Sequence, residues 1–98
     1  MIKIENKKFE TIEYQEGVKM TYAQLINLGV GSVAVTQGCT FDQMEFVLNL
    51  KKTLDKANGT ISLDKDQLDY IQKTLPTVQW KTINDEMIDF KNFILEAK

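Results

Sequence analysis

The sequence predicts an α+β fold in which an N-terminal β-hairpin packs on a small bundle of three main helices and one short helix. The N-terminal residues alternate apolar and polar side chains with a period of two, which is typical of strands. From residue 21 onward, apolar residues recur at steps of three and four, which is typical of helices. A Thr or Asp followed by Gln at the third position occurs before three of these apolar periods and marks helix starts.

The hairpin is predicted over residues 2–14. Ile2 and Ile4 alternate with charged residues, and the dipeptide Asn6-Lys7 suits a tight turn because Asn tolerates a positive φ. The second strand carries the aromatic and β-branched residues Phe9, Thr11, Ile12 and Tyr14. Because an isolated two-stranded hairpin is marginal in water, we expect it to pack against the helices.

Capping boxes predict the starts of three helices. The pairs are Thr21 with Gln24, Thr40 with Gln43, and Asp64 with Gln67. In each pair the first side chain accepts from the glutamine amide, and the glutamine side chain accepts from the cap amide. The predicted helices cover residues 22–28, 41–57 and 65–75. Gly29, Asn58-Gly59 and Pro76 are expected to end them. The expected buried stripe of the second helix is Phe41, Met44, Val47, Leu48 and Leu54.

The last helix is predicted over residues 78–97. Its apolar residues form a heptad-like seam of Trp80, Ile83, Met87, Phe90 and Ile94, widened by Ile88 and Leu95. Phe93 lies away from the centre of this seam. A chain of 98 residues does not easily bury both surfaces, so part of this helix is expected to bind a protein partner or a second copy. The predicted interface residues are Trp80, Met87, Phe90, Phe93 and Ile94.

Composition predicts one domain over residues 1–98 and excludes several classes of function. Histidine, the commonest general base and transition-metal ligand, is absent, so we expect neither an enzyme nor a cofactor. All 12 basic residues are lysines and the net charge is -2. Nucleic-acid binding is therefore not expected, because arginine is the usual reader of guanine.

The pattern of apolar residues predicts a cytoplasmic protein without a membrane segment. No apolar run approaches the roughly 18 residues that span a bilayer. The N-terminal residues lack the apolar core of a signal peptide. The single cysteine, Cys39, excludes an intramolecular disulfide and fits a reducing compartment.

Residues 54–66 look like a calcium loop at first sight. With Gly59 at loop position 6, however, lysines fall at positions 3 and 12, where oxygen ligands are needed. If the loop instead starts at Asp55, Gly59 falls at position 5, whereas the calcium pattern needs glycine at position 6. We therefore expect a joint between two helices, in which Asn58-Gly59 supplies a left-handed stop and Asp64 caps the next helix.

The segment of residues 29–38 is expected to be a loop, or a bent edge with a short strand at 33–35. Its Gly-Val-Gly is a fragment of a phosphate-loop pattern, and a helix start at Thr40 offers free amides. A small-ligand or nucleotide site between the hairpin and this segment, which could lie at an oligomer interface, is the alternative to a protein interface. Its candidate residues are Gly29, Gly31, Ser32 and Thr40.

The order of features also resembles a family. The hairpin IKIENKKFETIEY is followed by TYAQLI, FVLNLKKTL, GTISLD, DYIQ and MIDFKNFILEA. This succession resembles the small, mostly uncharacterised proteins of tailed bacteriophages and prophages, and the resemblance covers most of the chain. It implies a viral protein that acts by contacts in the host cytoplasm or the virion, as a host-factor inhibitor, an assembly factor or a structural subunit. It implies no catalytic residues.

Overall fold

The computed structural model describes residues 1–81 and 83–98 and has an α+β fold with an N-terminal hairpin, as predicted. The described residues form two antiparallel two-stranded sheets and four α-helices. The strands are β1 (Ile2–Glu5), β2 (Lys8–Gln15), β3 (Val18–Thr21) and β4 (Thr60–Leu63). The helices are α1 (Tyr22–Gln37), α2 (Phe41–Asp55), α3 (Lys65–Thr74) and α4 (Asp85–Leu95), with a 3₁₀ helix at Leu75–Thr77.

The three predicted capping boxes are all confirmed. Both reciprocal hydrogen bonds are present at the starts of α1, α2 and α3. At α3, for example, the Gln67 amide donates to Asp64 Oδ1 over 2.8 Å, and the Asp64 amide donates to Gln67 Oε1 over 3.0 Å. Such boxes are read correctly from sequence because all their atoms lie within four residues.

The hairpin is formed by β2 and β3, so the prediction over residues 2–14 is wrong in its bounds and its pairing. Its turn contains Gly17, whose φ of 81° is in the left-handed region that glycine adopts without strain. Asn6 is no turn residue. Its side chain accepts from the Ala23 amide and donates to the Asn58 carbonyl, so it ties the start of α1 to the loop before β4.

Strand β1 pairs with β4 instead, across more than 50 residues of sequence. The register places Ile4 opposite Ile61 and Ile2 opposite Leu63. Ile61 and Leu63 are fully buried, and Ile4 is almost so. Burial of this apolar face favours β4 as the partner of β1 over the neighbouring strand.

Helix α1 extends to Gln37, so Gly29 does not end it and residues 31–37 are helical, neither loop nor strand. A Cβ at Gly29 would lie 2.8 Å from Leu75 Cδ2 and 3.0 Å from Trp80 Cη2. Gly29 therefore permits a close approach of neighbouring side chains. The helix ends at Gly38, where φ is 75°.

The ends of α2 and α3 also differ from prediction. Helix α2 ends at Asp55, before the expected residue 57, and Gly59 does not have a positive φ. The expected left-handed stop at Asn58-Gly59 is therefore wrong. Instead, Asn58 Oδ1 accepts from the Gly59 amide and the Gly59 carbonyl accepts from the Asn6 amide. Helix α3 ends one residue early, at Thr74, because Leu75 begins the 3₁₀ helix that contains Pro76.

Helix α4 begins at Asp85, so the prediction of a helix from residue 78 is wrong. Asn84 caps it by accepting from the Met87 amide over 3.0 Å. Trp80 and Ile83 precede the helix, although their spacing continues its seam. Apolar periodicity misleads here because Trp80 packs beside Gly29 from a segment outside the helix and Ile83 is exposed, so their spacing does not report one helical face.

One hydrophobic core joins the helices and both sheets. Its fully buried large side chains are Phe9, Ile26, Val30, Leu50, Ile61, Leu63, Ile71 and Ile94. Helix α2 buries Val47, Leu50 and Leu54. The expected stripe is therefore partly wrong, because Phe41, Met44 and Leu48 face solvent.

Candidate protein-binding groove

An apolar groove of about 300 Å³ lies between α4 and the residues that precede it. Its lining is Leu75, Pro76, Val78, Trp80, Ile83, Asn84, Met87, Ile88, Phe90, Lys91, Ile94 and Leu95. Of these lining residues, Asn84 carries a side-chain amide and Lys91 carries a charge. The groove therefore matches apolar side chains of a ligand and offers few polar groups to orient one.

The floor of the groove comes from the buried face of α4, and its rim comes from a neighbouring face of α4 and from Ile83. Met87, Phe90 and Ile94 are buried and form the floor. Ile88 is 53% exposed on the rim, and Ile83 is 96% exposed just before the helix. Because these two side chains lie largely outside the core, their apolar surface is available to a partner.

Trp80 forms a wall of the groove because Gly29 leaves room for it. The indole ring lies against α1, where a side chain at residue 29 would meet Cη2 and Cζ2. Leu75 fills the adjacent space from the end of α3. The position of this wall is thus set by a glycine some 50 residues away in the sequence.

A carboxylate fixes the start of α4 against the hairpin. Glu86 accepts hydrogen bonds from the backbone amides of Glu10 and Thr11, each over 2.8 Å, and from the Thr11 hydroxyl. The hydrogen bond from the Glu10 amide and those from Thr11 lower the pKa of Glu86. Asn84 Nδ2 also donates to the Thr11 hydroxyl, so both residues anchor this end of the groove.

Four of the five predicted interface residues line the groove, namely Trp80, Met87, Phe90 and Ile94. Phe93 does not. Its ring packs edge-on to Tyr22 with 5.5 Å between centroids, and Lys7 Nζ lies 4.3 Å from the ring centroid. Burial and the nearby carboxylates of Asp89, Glu86 and Glu5 raise the pKa of Tyr22.

The predicted ligand-site residues are not gathered around one point. Gly29 faces Leu75 and Trp80, whereas a Cβ at Gly31 would meet Lys51 Nζ at 3.1 Å. The Thr40 hydroxyl accepts from the Gln43 amide within its capping box. Ser32 lies with Gly31 in a separate groove between α1 and α2.

The calcium-like segment contains the end of α2, strand β4 and the cap of α3. Ile61 and Leu63 point into the core, and Asp64 uses its carboxylate to cap. Across residues 1–81 and 83–98, no three His, Cys, Asp or Glu side chains are grouped to hold a metal. In the same ranges no helix is long and apolar enough to cross a bilayer.

Part of the groove lies outside the interface that the sequence predicts. Asn84 and Lys91 are not among the predicted interface residues, although they contribute polar groups to the lining. Ile88 and Leu95 are predicted only as a widening of the apolar stripe of the helix. Their spacing of seven residues is a signal for a second apolar edge, since such residues share one helix face.

Comparison with protein-family models, with curated proteins and with solved structures gave no match to this chain.

Proposed function

We propose that this chain is a small non-enzymatic protein of bacteriophage type that acts by protein–protein contacts made through the groove at α4. The observation that carries the proposal is the pair of exposed isoleucines, Ile83 and Ile88, beside a buried apolar floor. A half-buried tryptophan in such a wall is typical of residues that dominate the energy of protein interfaces. The host-factor inhibitor and the assembly factor both fit this mode of action.

The groove is better suited to protein side chains than to a small ligand. Its volume of about 300 Å³ lies at the lower end for small-molecule pockets, which are usually roughly 300–1,000 Å³. Such pockets also gather several polar groups around the ligand. Here Asn84 and Lys91 are the amide and charged groups of the lining. The partner we propose therefore presents apolar side chains on a helix, with an acidic residue that reaches Lys91.

The proposal can be tested by capture from a bacterial host with a matched pair of variants. Ile88→Asp places a charge on the rim, while Tyr14→Asp places one on the exposed surface of the hairpin. We expect a host or phage protein to be retained by the wild type and by Tyr14→Asp, and to be lost with Ile88→Asp. Equal capture by both variants would contradict the groove as the binding site.

Trp80 gives a direct measurement, because it is the only tryptophan in the sequence. A purified partner should shift Trp80 emission to shorter wavelength as the indole ring loses water. Nucleotides and metal salts, tested in the same titration and by thermal shift, should leave Trp80 emission and the melting temperature unchanged. A rise in melting temperature with a nucleotide would instead favour the small-ligand alternative.

A further inference from the structure

A second apolar surface, separate from the α4 groove, lies along α1 and α2. Its exposed side chains are Leu28, Val35, Phe41, Met44 and Leu48. Val35 is 86% exposed and Phe41 is 84% exposed. The two helices pack together as a hairpin joined by residues 38–40, and Leu28, Val35, Met44 and Leu48 line one groove between them.

The two helices leave a groove between them on this surface. It has a volume of about 760 Å³ and is lined by small residues, Gly31, Ser32 and Ala34, beside Met44 and Leu48. Small residues in a groove between helices let large side chains of another helix approach closely. The surface therefore has both protruding side chains and a depression to receive them.

Helix α2 also carries an exposed acidic and an exposed basic side chain seven residues apart, Glu45 and Lys52. The other charged residues of α2 are Asp42, Lys51 and Asp55, and Asp55 Oδ1 accepts from Asn27 Nδ2 over 2.7 Å. Lys51 is held by Asn27, whose Oδ1 accepts from Nζ over 2.5 Å, whereas Lys52 is exposed. Antiparallel pairing of two such helices about a point midway between these two residues places Glu45 of each copy beside Lys52 of the other.

We infer that the α1–α2 face binds the same face of a second copy of this chain. A two-fold axis near Leu48 brings Leu48 of both copies together and sets Glu45 of each copy opposite Lys52 of the other. The two hairpins then form an antiparallel four-helix arrangement, a common way to bury such apolar stripes. A closed two-fold contact buries this surface of both copies at once, because the surface is self-complementary.

This inference does not depend on the groove at α4. The two surfaces share no lining residue. A dimer through α1–α2 leaves Ile83 and Ile88 exposed and presents two copies of the α4 groove. Failure of one proposal therefore leaves the other intact.

Sedimentation equilibrium of the full chain tests the inference. We expect the wild type to dimerise in the micromolar range and Leu48→Glu to be monomeric at the same concentrations. Leu95→Glu, at the rim of the α4 groove, is the matched control and should remain dimeric. A monomeric wild type, or a dimer lost in Leu95→Glu and kept in Leu48→Glu, would overturn the inference. Circular dichroism shows whether each variant is folded.

A charge exchange tests the antiparallel geometry. Glu45→Lys and Lys52→Glu should each weaken the dimer about tenfold, because each creates two like-charge contacts across the two-fold axis. An equimolar mixture of these two variants should recover the lost affinity, since both contacts between unlike copies are then attractive. Weakening of the mixture to the level of the separate variants would overturn the pairing of Glu45 with Lys52. These substitutions lie on the solvent face of α2, so we expect both variants to fold.

Discussion

The Glu86 carboxylate accepts two hydrogen bonds from Thr11, one from its backbone amide and one from its hydroxyl. Glu86 lies in the first turn of α4, and Thr11 lies in β2, 75 residues earlier. This contact joins the last helix to the hairpin and fixes where α4 begins. It also gives the protein a defined dependence on pH.

Replacing Glu86 with glutamine should lower the free energy of unfolding at pH 7 by about 1 kcal/mol. This value already allows for the solvent exposure of Glu86, which weakens its interactions. The folded pKa of Glu86 is below its unfolded value of about 4.3. The stabilisation is therefore fully present above that unfolded value and is lost as the pH falls through the folded pKa. Urea denaturation from pH 7 to pH 3 should show the difference between wild type and variant shrinking. Asp85→Asn, in the same helix turn, is the control for loss of a charge near the helix start.

Gly29→Ala should destabilise the protein, whereas Gly31→Ala should not. Both residues lie inside α1, where alanine favours helix by roughly 1 kcal/mol. At Gly29 a Cβ meets Leu75 and Trp80, so overpacking of about 1–3 kcal/mol exceeds that gain. At Gly31 it meets only Lys51 Nζ, at 3.1 Å, and a small shift at the end of that long side chain relieves the contact. Thermal denaturation followed by Trp80 fluorescence measures both variants, and equal melting temperatures would contradict this account.

Gly38→Ala should cost about 1–3 kcal/mol of folding free energy, because φ is 75° there and a side chain strains that backbone. Gly59→Ala should change stability by less than about 0.5 kcal/mol. Among residues 1–81 and 83–98, no atom beyond the two chain neighbours lies within 4 Å of an added Cβ at either position, so the pair isolates the backbone effect. Chemical denaturation of the two variants makes the comparison. A larger loss at Gly59 than at Gly38 would speak against it.

Gln72→Glu should lower stability at pH 7 by about 1–3 kcal/mol, the range for an unsatisfied polar group. Gln72 Nε2 donates to the carbonyls of Ile94 and Ala97, over 3.0 and 2.9 Å, at the end of α4. A carboxylate would place an acceptor against these acceptors. The same change at Gln43 is the control, since glutamate serves equally in a capping box. Denaturation curves of both variants at pH 7 check this, and equal midpoints would exclude the proposed repulsion.

The groove at α4 was predictable in part from sequence. Met87, Phe90 and Ile94 follow the period of a helix. Their prediction as interface residues therefore does not depend on where the helix begins. Phe93 shares that helix but packs on Tyr22, the first residue of α1, and only the tertiary arrangement of α1 and α4 brings the two rings together. The groove itself forms between α4 and the residues that precede it, so it requires Trp80 to lie outside the helix.

The amino-acid sequence alone determined the α+β class and the starts of α1, α2 and α3. These features depend on alternation of apolar residues and on hydrogen bonds within four residues, so neighbours in the chain suffice to form them. Tertiary structure decided the pairing of β1 with β4, the passage of α1 through Gly29 and the late start of α4. Each of these depends on residues far apart in sequence: Ile4 with Ile61, Gly29 with Trp80, and Glu86 with Thr11. Packing across such distances outweighs local preference because burial of apolar surface and pairing of polar groups contribute more free energy than a single turn or cap.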